Sequence, residues 1–438
     1  MLWLYRILFL PVMVVLAPRY LWRMRKRGGY GAKFAQRFGG HEELPAKKPG
    51  VRRIWLQAVS VGEMLAIGPV LEALQRDGQR GEGTPPPHGV EIYLTTTTST
   101  GYRVAQERYA GSVAGVGYFP IDWWWFSRRA WKRIEPDLVI LTEGERWPEH
   151  LHQANVRGVP VIAINARMSD RTIRRLKRFP FAARAVLGGL TRVLPGSARD
   201  EKRFRELGVA AERLTMTGNI KLDVRIAPLA DGEWTRLRRE LGFRDGLIVL
   251  GSSTWPGEEA ALIEAWRAAK AAGAAASLLL VPRHAERRGE IERLLQAAKV
   301  TFHLRSRGAA DGPVDVTVGD TTGELRKLTQ LADLVFVGKS LLRNEGGQTP
   351  VEAAALRKPI LFGPAMSNFR AIADELLACG AAIEVADAAA LSERVAELLG
   401  DAVKREAMAA AAENWQRENA GAVERTVAVI REELARLG

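Results

Sequence analysis

Short apolar runs recur along this chain, most followed by a glycine- or proline-bearing turn and then by a stretch with helical spacing. That pattern leaves few folds open. In the first half the runs cover 51–59, 91–95, 138–141 and 159–164; in the second they cover 247–250, 277–281, 334–337 and 359–362. A run that is apolar at consecutive positions reads as a strand covered on both faces. Strands of that kind alternating with helices form a parallel sheet between two helical layers. The spacing therefore predicts an α/β protein with two such domains, and 438 residues at 47% hydrophobic content supply two cores. The expected layout is a first domain over 28–218, a polar linker over 219–246 and a second domain over 247–401. The unbroken Ala/Glu/Arg pattern of 402–438 predicts one C-terminal helix. Two sheets facing each other would share a cleft at the carboxyl ends of their strands, where open α/β folds bind ligands.

The first residues constrain the chain differently. Residues 2–17 are apolar apart from Arg6, and the basic cluster Arg19, Arg23, Arg25, Lys26 and Arg27 follows. A cleaved signal peptide has the reverse order. The run falls slightly short of the roughly 20 residues that span a bilayer. Residues 1–27 therefore read as a membrane anchor, spanning or partly inserted, with the basic flank against anionic headgroups at the cytoplasmic face. A buried core helix is the other reading. The formal net charge of +14 favours an anionic partner. Arg167, Arg171, Arg174, Arg175, Lys177 and Arg178 form a basic run, and Trp123-Trp124-Trp125-Phe126 precedes Arg128 and Arg129. Indoles beside basic residues suit a phospholipid surface or an anionic lipid substrate; core aromatics are the alternative. No nucleic-acid module is recognisable. The lone Cys379 excludes an intrachain disulfide and a Cys-based zinc site, and His150 with His152 reads as a surface pair. Signatures of the Walker, GxGxxG, HExxH and GxSxG types are lacking.

Chemistry-bearing residues collect after the strands. Val337-Gly338-Lys339-Ser340 leads through Gly346-Gly347-Gln348-Thr349-Pro350 into a helix carrying Glu352. A strand, a glycine loop and a helix start can cradle a phosphate on backbone N–H groups. A tight turn with Glu352 as a first-turn acid explains the same pattern. Gly251-Ser252-Ser253-Thr254 offers hydroxyls and amides, and Pro282-Arg283-His284 places a guanidinium fork where two phosphate oxygens would fit. Glu63, after Ser60-Val61-Gly62, stands at a sheet mouth as a general base or as a dipole-complementing acid. Glu143 and Glu145, beside Arg146 and Trp147, could hold a sugar hydroxyl, orient a loop or pair with neighbours.

Taken in order, these motifs resemble one family over nearly the whole chain: the 3-deoxy-D-manno-octulosonic acid (Kdo) transferases of lipopolysaccharide assembly. The resemblance is carried by Ser60-Val61-Gly62-Glu63, Glu143-Gly144-Glu145-Arg146-Trp147-Pro148, Asn165-Ala166-Arg167-Met168-Ser169 and Thr217-Gly218-Asn219-Ile220-Lys221. It continues through Val281-Pro282-Arg283-His284, Gly319-Asp320-Thr321-Thr322-Gly323-Glu324, Gly346-Gly347, Pro350-Val351-Glu352-Ala353 and Asn368-Phe369. It implies an inverting glycosyltransferase of the GT-B type, with two Rossmann-like domains facing a central cleft. The implied donor is CMP-Kdo and the implied acceptor a lipid A precursor, lipid IVA, at the cytoplasmic face of the inner membrane, with no cofactor or metal. By the same resemblance Glu63 is the general base. Arg283 and the amides around Gly346 and Gly347 would hold the CMP phosphate, and Glu352 the ribose hydroxyls. Ser252, Ser253, His284, Gln348 and Asn368 join the donor site, and Glu143, Glu145, Arg167 and Lys221 support the acceptor side. The chain departs from the family's usual residues at Trp255 and Gln348 (histidines), Thr349 (asparagine) and Lys339 (glycine). All four lie on the donor side. They motivate two rival readings: a different nucleotide-sugar donor, or a membrane-tethered nucleotide-binding paralogue without catalysis.

Overall fold

The computed structural model describes residues 2–26, 33–76, 89–341 and 343–437. Arg27 lies outside the described residues. The chain divides into two compact units, the first made of Met1–Asp223 with Gly421–Gly438 and the second of Val224–Ala420.

The first unit is built on a six-stranded sheet of order β3-β2-β1-β4-β5-β6. Its strands are β1 (Val51–Gln57), β2 (Gly89–Thr96), β3 (Gly115–Tyr118), β4 (Leu138–Thr142), β5 (Val161–Ala166) and β6 (Arg192–Pro195), all paired in parallel. Successive strand residues face opposite sides. Ile54, Leu56, Leu138 and Ile140 therefore join one core with Met64 and Leu71, while Trp55, Val139 and Leu141 join the other with Trp131 and Phe204. The order reverses between β1 and β4, which places the ligand crevice of this sheet after those two strands. His150 does not sit on the surface. It is fully buried against Trp55, Phe119 and Trp131, and burial lowers its pKa to about 3.

The second unit has a seven-stranded sheet of order β13-β12-β11-β7-β8-β10-β9. It comprises β7 (Leu247–Thr254), β8 (Ala276–Pro282), β9 (Phe302–Leu304), β10 (Val316–Val318), β11 (Leu334–Val337), β12 (Ile360–Phe362) and β13 (Ala382–Glu384), again all parallel. Here the order reverses between β7 and β11.

Two expectations about segments need correcting, and a third segment carries a bend. The stretch 219–246 is not a plain linker. Ile220 and Leu222 are buried in the first unit, whereas Leu237 is buried on the helix Glu233–Glu240 of the second. Apolar residues spaced among the charges give each end a face to bury. The C-terminal segment is two helices, Ala402–Asn419 and Ala422–Ala435, broken where Gly421 takes a left-handed φ of 78°. The second of them returns to the first unit: Val427 and Ile430 enter its core, and Asp223 accepts a hydrogen bond from the Val423 N–H at 2.8 Å. The N-terminal helix Leu2–Lys26 contains Pro11 and Pro18, and it bends by 41° between Leu2–Phe9 and Pro11–Arg19. A proline inside a helix removes one N–H and clashes with the carbonyl four residues back. Among the described residues no single helix is long and apolar enough to cross a membrane; that bent pair passes the length and composition criteria together.

Candidate active site

In the first unit the functional side chains stand where β1 and β4 end. Ser60 caps the helix Val61–Ala66 by accepting from the Glu63 N–H, and Glu63 reaches back in the manner of a capping box. The Glu63 carboxylate accepts from the Val59 N–H and the Ser60 hydroxyl, both at 3.0 Å, and from the Thr142 hydroxyl at 2.5 Å. A carboxylate has about four acceptor sites, so these three contacts fix its plane and leave one. Glu63 is thus part of the helix cap, and its carboxylate is held in one orientation. Thr142, the last residue of β4, is the contact that sequence reasoning missed; its only signal was a hydroxyl closing an apolar run.

Glu143 follows in a left-handed conformation (φ 49°) and pairs with Lys221. Arg146 is half-buried, and its guanidinium donates to the Arg167 carbonyl at 3.1 Å and the Glu143 carbonyl at 3.4 Å. It thereby ties the loop after β4 to the loop after β5. Burial lowers the Arg146 pKa to about 10. Arg167 itself is exposed. Glu145 accepts from the Trp147 indole N–H at 2.7 Å, and burial, reinforced by the charges of Glu63 and Glu143, pushes its pKa up to about 7.

That shift makes stability depend on pH. Below about 4.5 the carboxyl is protonated in both the folded and the unfolded chain, and nothing is lost. Between 4.5 and 7 the unfolded chain releases a proton that the folded chain retains, so stability falls, and the full cost applies above 7. Glu145→Gln is expected to stabilise the protein by roughly 1–3 kcal/mol at pH 8, after discounting for solvent screening, with no gain at pH 4. Denaturant melts at the two pH values measure the difference; an equal gain at both would refute the assigned cause.

In the second unit the predicted donor residues lie at the end of β7 and after β8, β11 and β12, but the backbone donors are used differently from the expectation. Glu258 opens the helix Glu258–Ala271 and is completely buried. Its carboxylate accepts from the N–H groups of Trp255 (2.9 Å), Lys339 (2.8 Å), Ser340 (2.9 Å) and Leu341 (3.0 Å). The first part of the glycine loop therefore cradles an anion, and that anion is the protein's own carboxylate. Burial raises the Glu258 pKa while the four N–H groups oppose the rise. The Gly347 and Gln348 amides are also committed, donating to the carbonyls of Lys339 (2.9 Å) and Gly338 (3.1 Å). Their placement as phosphate-binding amides is thus corrected: these N–H groups fold the loop onto itself. Gly346 (φ 103°) and Gly347 (φ 69°) satisfy turns that a side chain would strain, and a Cβ on them would strike Asn368 and Met366 respectively. Asn368, after β12, donates its own N–H to the Gly346 carbonyl at 3.0 Å.

The Arg283 guanidinium remains open to an anion. It is exposed after β8, with no ion-pair partner among the described residues, while its N–H is anchored on the Thr254 carbonyl at 3.1 Å. Ser252 is half-buried and its carbonyl accepts from Gly338; Ser253 is buried with φ 55°. Glu352 pairs with Arg326 at 2.8 Å, a partner unseen in the sequence, so one of its oxygens is engaged. Two of the unusual residues meet each other. The Lys339 ammonium lies 4.6 Å from the Trp255 ring centroid, and the His284 ring meets the same indole edge-on at 5.4 Å. The described residues contain no group of three or more His, Cys, Asp or Glu able to hold a metal ion.

Residues 32–224 match the family model described as 3-deoxy-D-manno-octulosonic-acid transferase (kdotransferase). The 3-deoxy-D-manno-octulosonic acid transferase of Bordetella pertussis is 35% identical over 429 residues, which cover 94% of this chain and 95% of the relative. The chain belongs to the Kdo transferase family. The Kdo transferase of Haemophilus influenzae is 31% identical, over 98% of this chain and 95% of its own. Among solved structures, UDP-GlcNAc 2-epimerase from Neisseria meningitidis bound to UDP-GlcNAc aligns with a TM-score of 0.55 at 13% identity, covering 88% of this chain and 100% of the epimerase. That likeness is one of fold: two parallel-sheet α/β domains of the GT-B kind, in agreement with the architecture read from the Kdo transferase sequence.

Proposed function

We propose that this Kdo transferase family member moves Kdo from CMP-Kdo to a lipid A precursor, lipid IVA, with Glu63 as the general base. The observation that carries the reading is the three-point anchoring of the Glu63 carboxylate at the β1/β4 reversal, which leaves one acceptor site open. In the reaction the acceptor hydroxyl oxygen bonds to the anomeric carbon of Kdo and its proton passes to Glu63. The bond from that carbon to the phosphate oxygen breaks, and CMP leaves with the electron pair. The second unit holds the nucleotide. Arg283 meets the charge growing on the phosphate, Glu352 offers its unpaired oxygen to the ribose, and the chemistry asks for no metal. Ser252, Ser253 and His284 line the same sheet edge. The N-terminal segment attaches the protein to the cytoplasmic face of the inner membrane.

The test is a single incubation of the purified full chain with CMP-Kdo and lipid IVA, followed by mass measurement. The expected result is a lipid heavier by whole Kdo units, with CMP released in step. Thermal stabilisation by UDP or GDP but not by CMP, with no product from CMP-Kdo, would replace the donor.

A further inference from the structure

An apolar cavity of about 660 Å³ lies in the first unit between the N-terminal helix and the helices Pro148–Val156 and Pro180–Leu187. Leu4 and Leu8 of the N-terminal helix line it together with Leu151, Phe181, Ala185 and Val186. Its volume falls within the range of small-molecule sites. The wall contributed by the N-terminal helix is pinned rather than loosely apposed. Tyr5 donates its hydroxyl to Asp122 at 2.7 Å, and Arg6 makes a two-pronged contact with the fully buried Glu149 at 2.8 and 3.0 Å. Arg6, the one charge in the apolar run, is thereby neutralised inside the protein, and the leucines on either side of it face the cavity.

The surroundings indicate the occupant. The helix Asp170–Arg178 runs directly into Pro180–Leu187 and exposes Arg171, Arg174, Arg175 and Arg178. No acid pairs with these four among the described residues. Arg184 lines the cavity itself, and Phe179 and Phe181 are exposed between the basic stretch and the cavity. A ligand that fills an apolar slot while its other end meets several guanidinium groups has an acyl tail and an anionic head. We propose that this cavity takes one acyl chain of the lipid acceptor, with the helix Asp170–Arg178 facing its phosphorylated headgroup. The inference rests on the lipid-acceptor reading of the function. It adds a tail-binding subsite of which the N-terminal helix forms one wall, so that this helix contributes to acceptor selection as well as to attachment.

Ala185→Trp fills the cavity from an exposed helix position outside the catalytic machinery. With the full chain in mixed micelles, it is expected to raise KM for the acylated acceptor about tenfold, the worth of a few buried methylenes. The KM for a deacylated disaccharide bisphosphate and kcat on either acceptor stay unchanged. Equal effects on both acceptors, or none on either, would overturn the proposal. A second measurement needs no turnover: an acceptor lipid with a photoactivatable acyl chain, in phosphatidylethanolamine vesicles, should label peptides containing Leu4, Leu8 or 181–186. Unlabelled acceptor should compete and Ala185→Trp should block the labelling. Equal labelling by a phospholipid probe, without competition by acceptor, would make the cavity a general bilayer contact and refute the assignment. Wild-type protein that converts neither acceptor would sink the transferase reading, and the labelling would then decide the cavity alone.

Discussion

Glu63→Gln should lower kcat by roughly 10²- to 10⁴-fold, the contribution of a well-placed general base, while shifting the melting temperature very little. The amide keeps the shape of the carboxylate. Its oxygen can still accept from the Val59 N–H and Thr142, and its NH₂ can donate to the Ser60 hydroxyl. The cap survives, but no group remains that takes a proton from a sugar hydroxyl. Glu63→Ala removes both functions, so it should lose activity and about 0.5–2 kcal/mol of stability through the missing cap interactions. Steady-state kinetics and calorimetry on the two variants separate the roles. Wild-type turnover by a folded Gln variant would move the base elsewhere.

The second large effect is on stability. Glu258→Ala should lower the melting transition of the second unit by roughly 10 °C, because four N–H groups lose their common acceptor inside the protein. Each buried unsatisfied donor costs about 1–3 kcal/mol, and 1 kcal/mol moves a domain of this size by about 2–4 °C. Some relaxation of the loop toward water is included in that figure. Glu258→Gln keeps one carbonyl oxygen and should fall between alanine and wild type. The same ranking should appear in CMP affinity, since the loop carrying Lys339 is anchored on Glu258. If the alanine variant melted like the wild type, the buried carboxylate would not be what shapes the loop.

The strands seen in the sequence are those buried on both faces, such as Leu138–Thr142 and Leu334–Val337, where every residue is covered. The strands that were not seen are short, and most lie at or near a sheet edge. Gly115–Tyr118, Arg192–Pro195, Phe302–Leu304 and Ala382–Glu384 are the four outermost strands of the two sheets. An edge strand has one neighbour and mixed composition, so it lacks the continuous apolar signal. The site divides along a similar line. Glu63 was legible because its cap partners lie within four residues. The part played by Glu258 was not, because three of the four amides it captures lie 81 to 83 residues away in sequence. Glycine spacing marks a loop that can wrap an anion, but it does not reveal whether the anion is a ligand or another part of the chain. The break before the last helix was missed for a comparable reason: one glycine in a long stretch of helix formers costs only about 1 kcal/mol, and tertiary packing decided the outcome.

The return of Ala422–Ala435 to the first unit has a consequence for synthesis. Val427 and Ile430 belong to the core that covers Ile54, Leu56 and Leu138, yet they leave the ribosome only after the whole second unit has been made. At translation rates of 5–20 residues per second, that interval is about 10–40 s. For that time the nascent first unit carries an uncovered apolar face. The second unit, whose residues are contiguous, can close first. A chain whose earlier half is completed by its last helix couples maturation of the first unit to completion of the second.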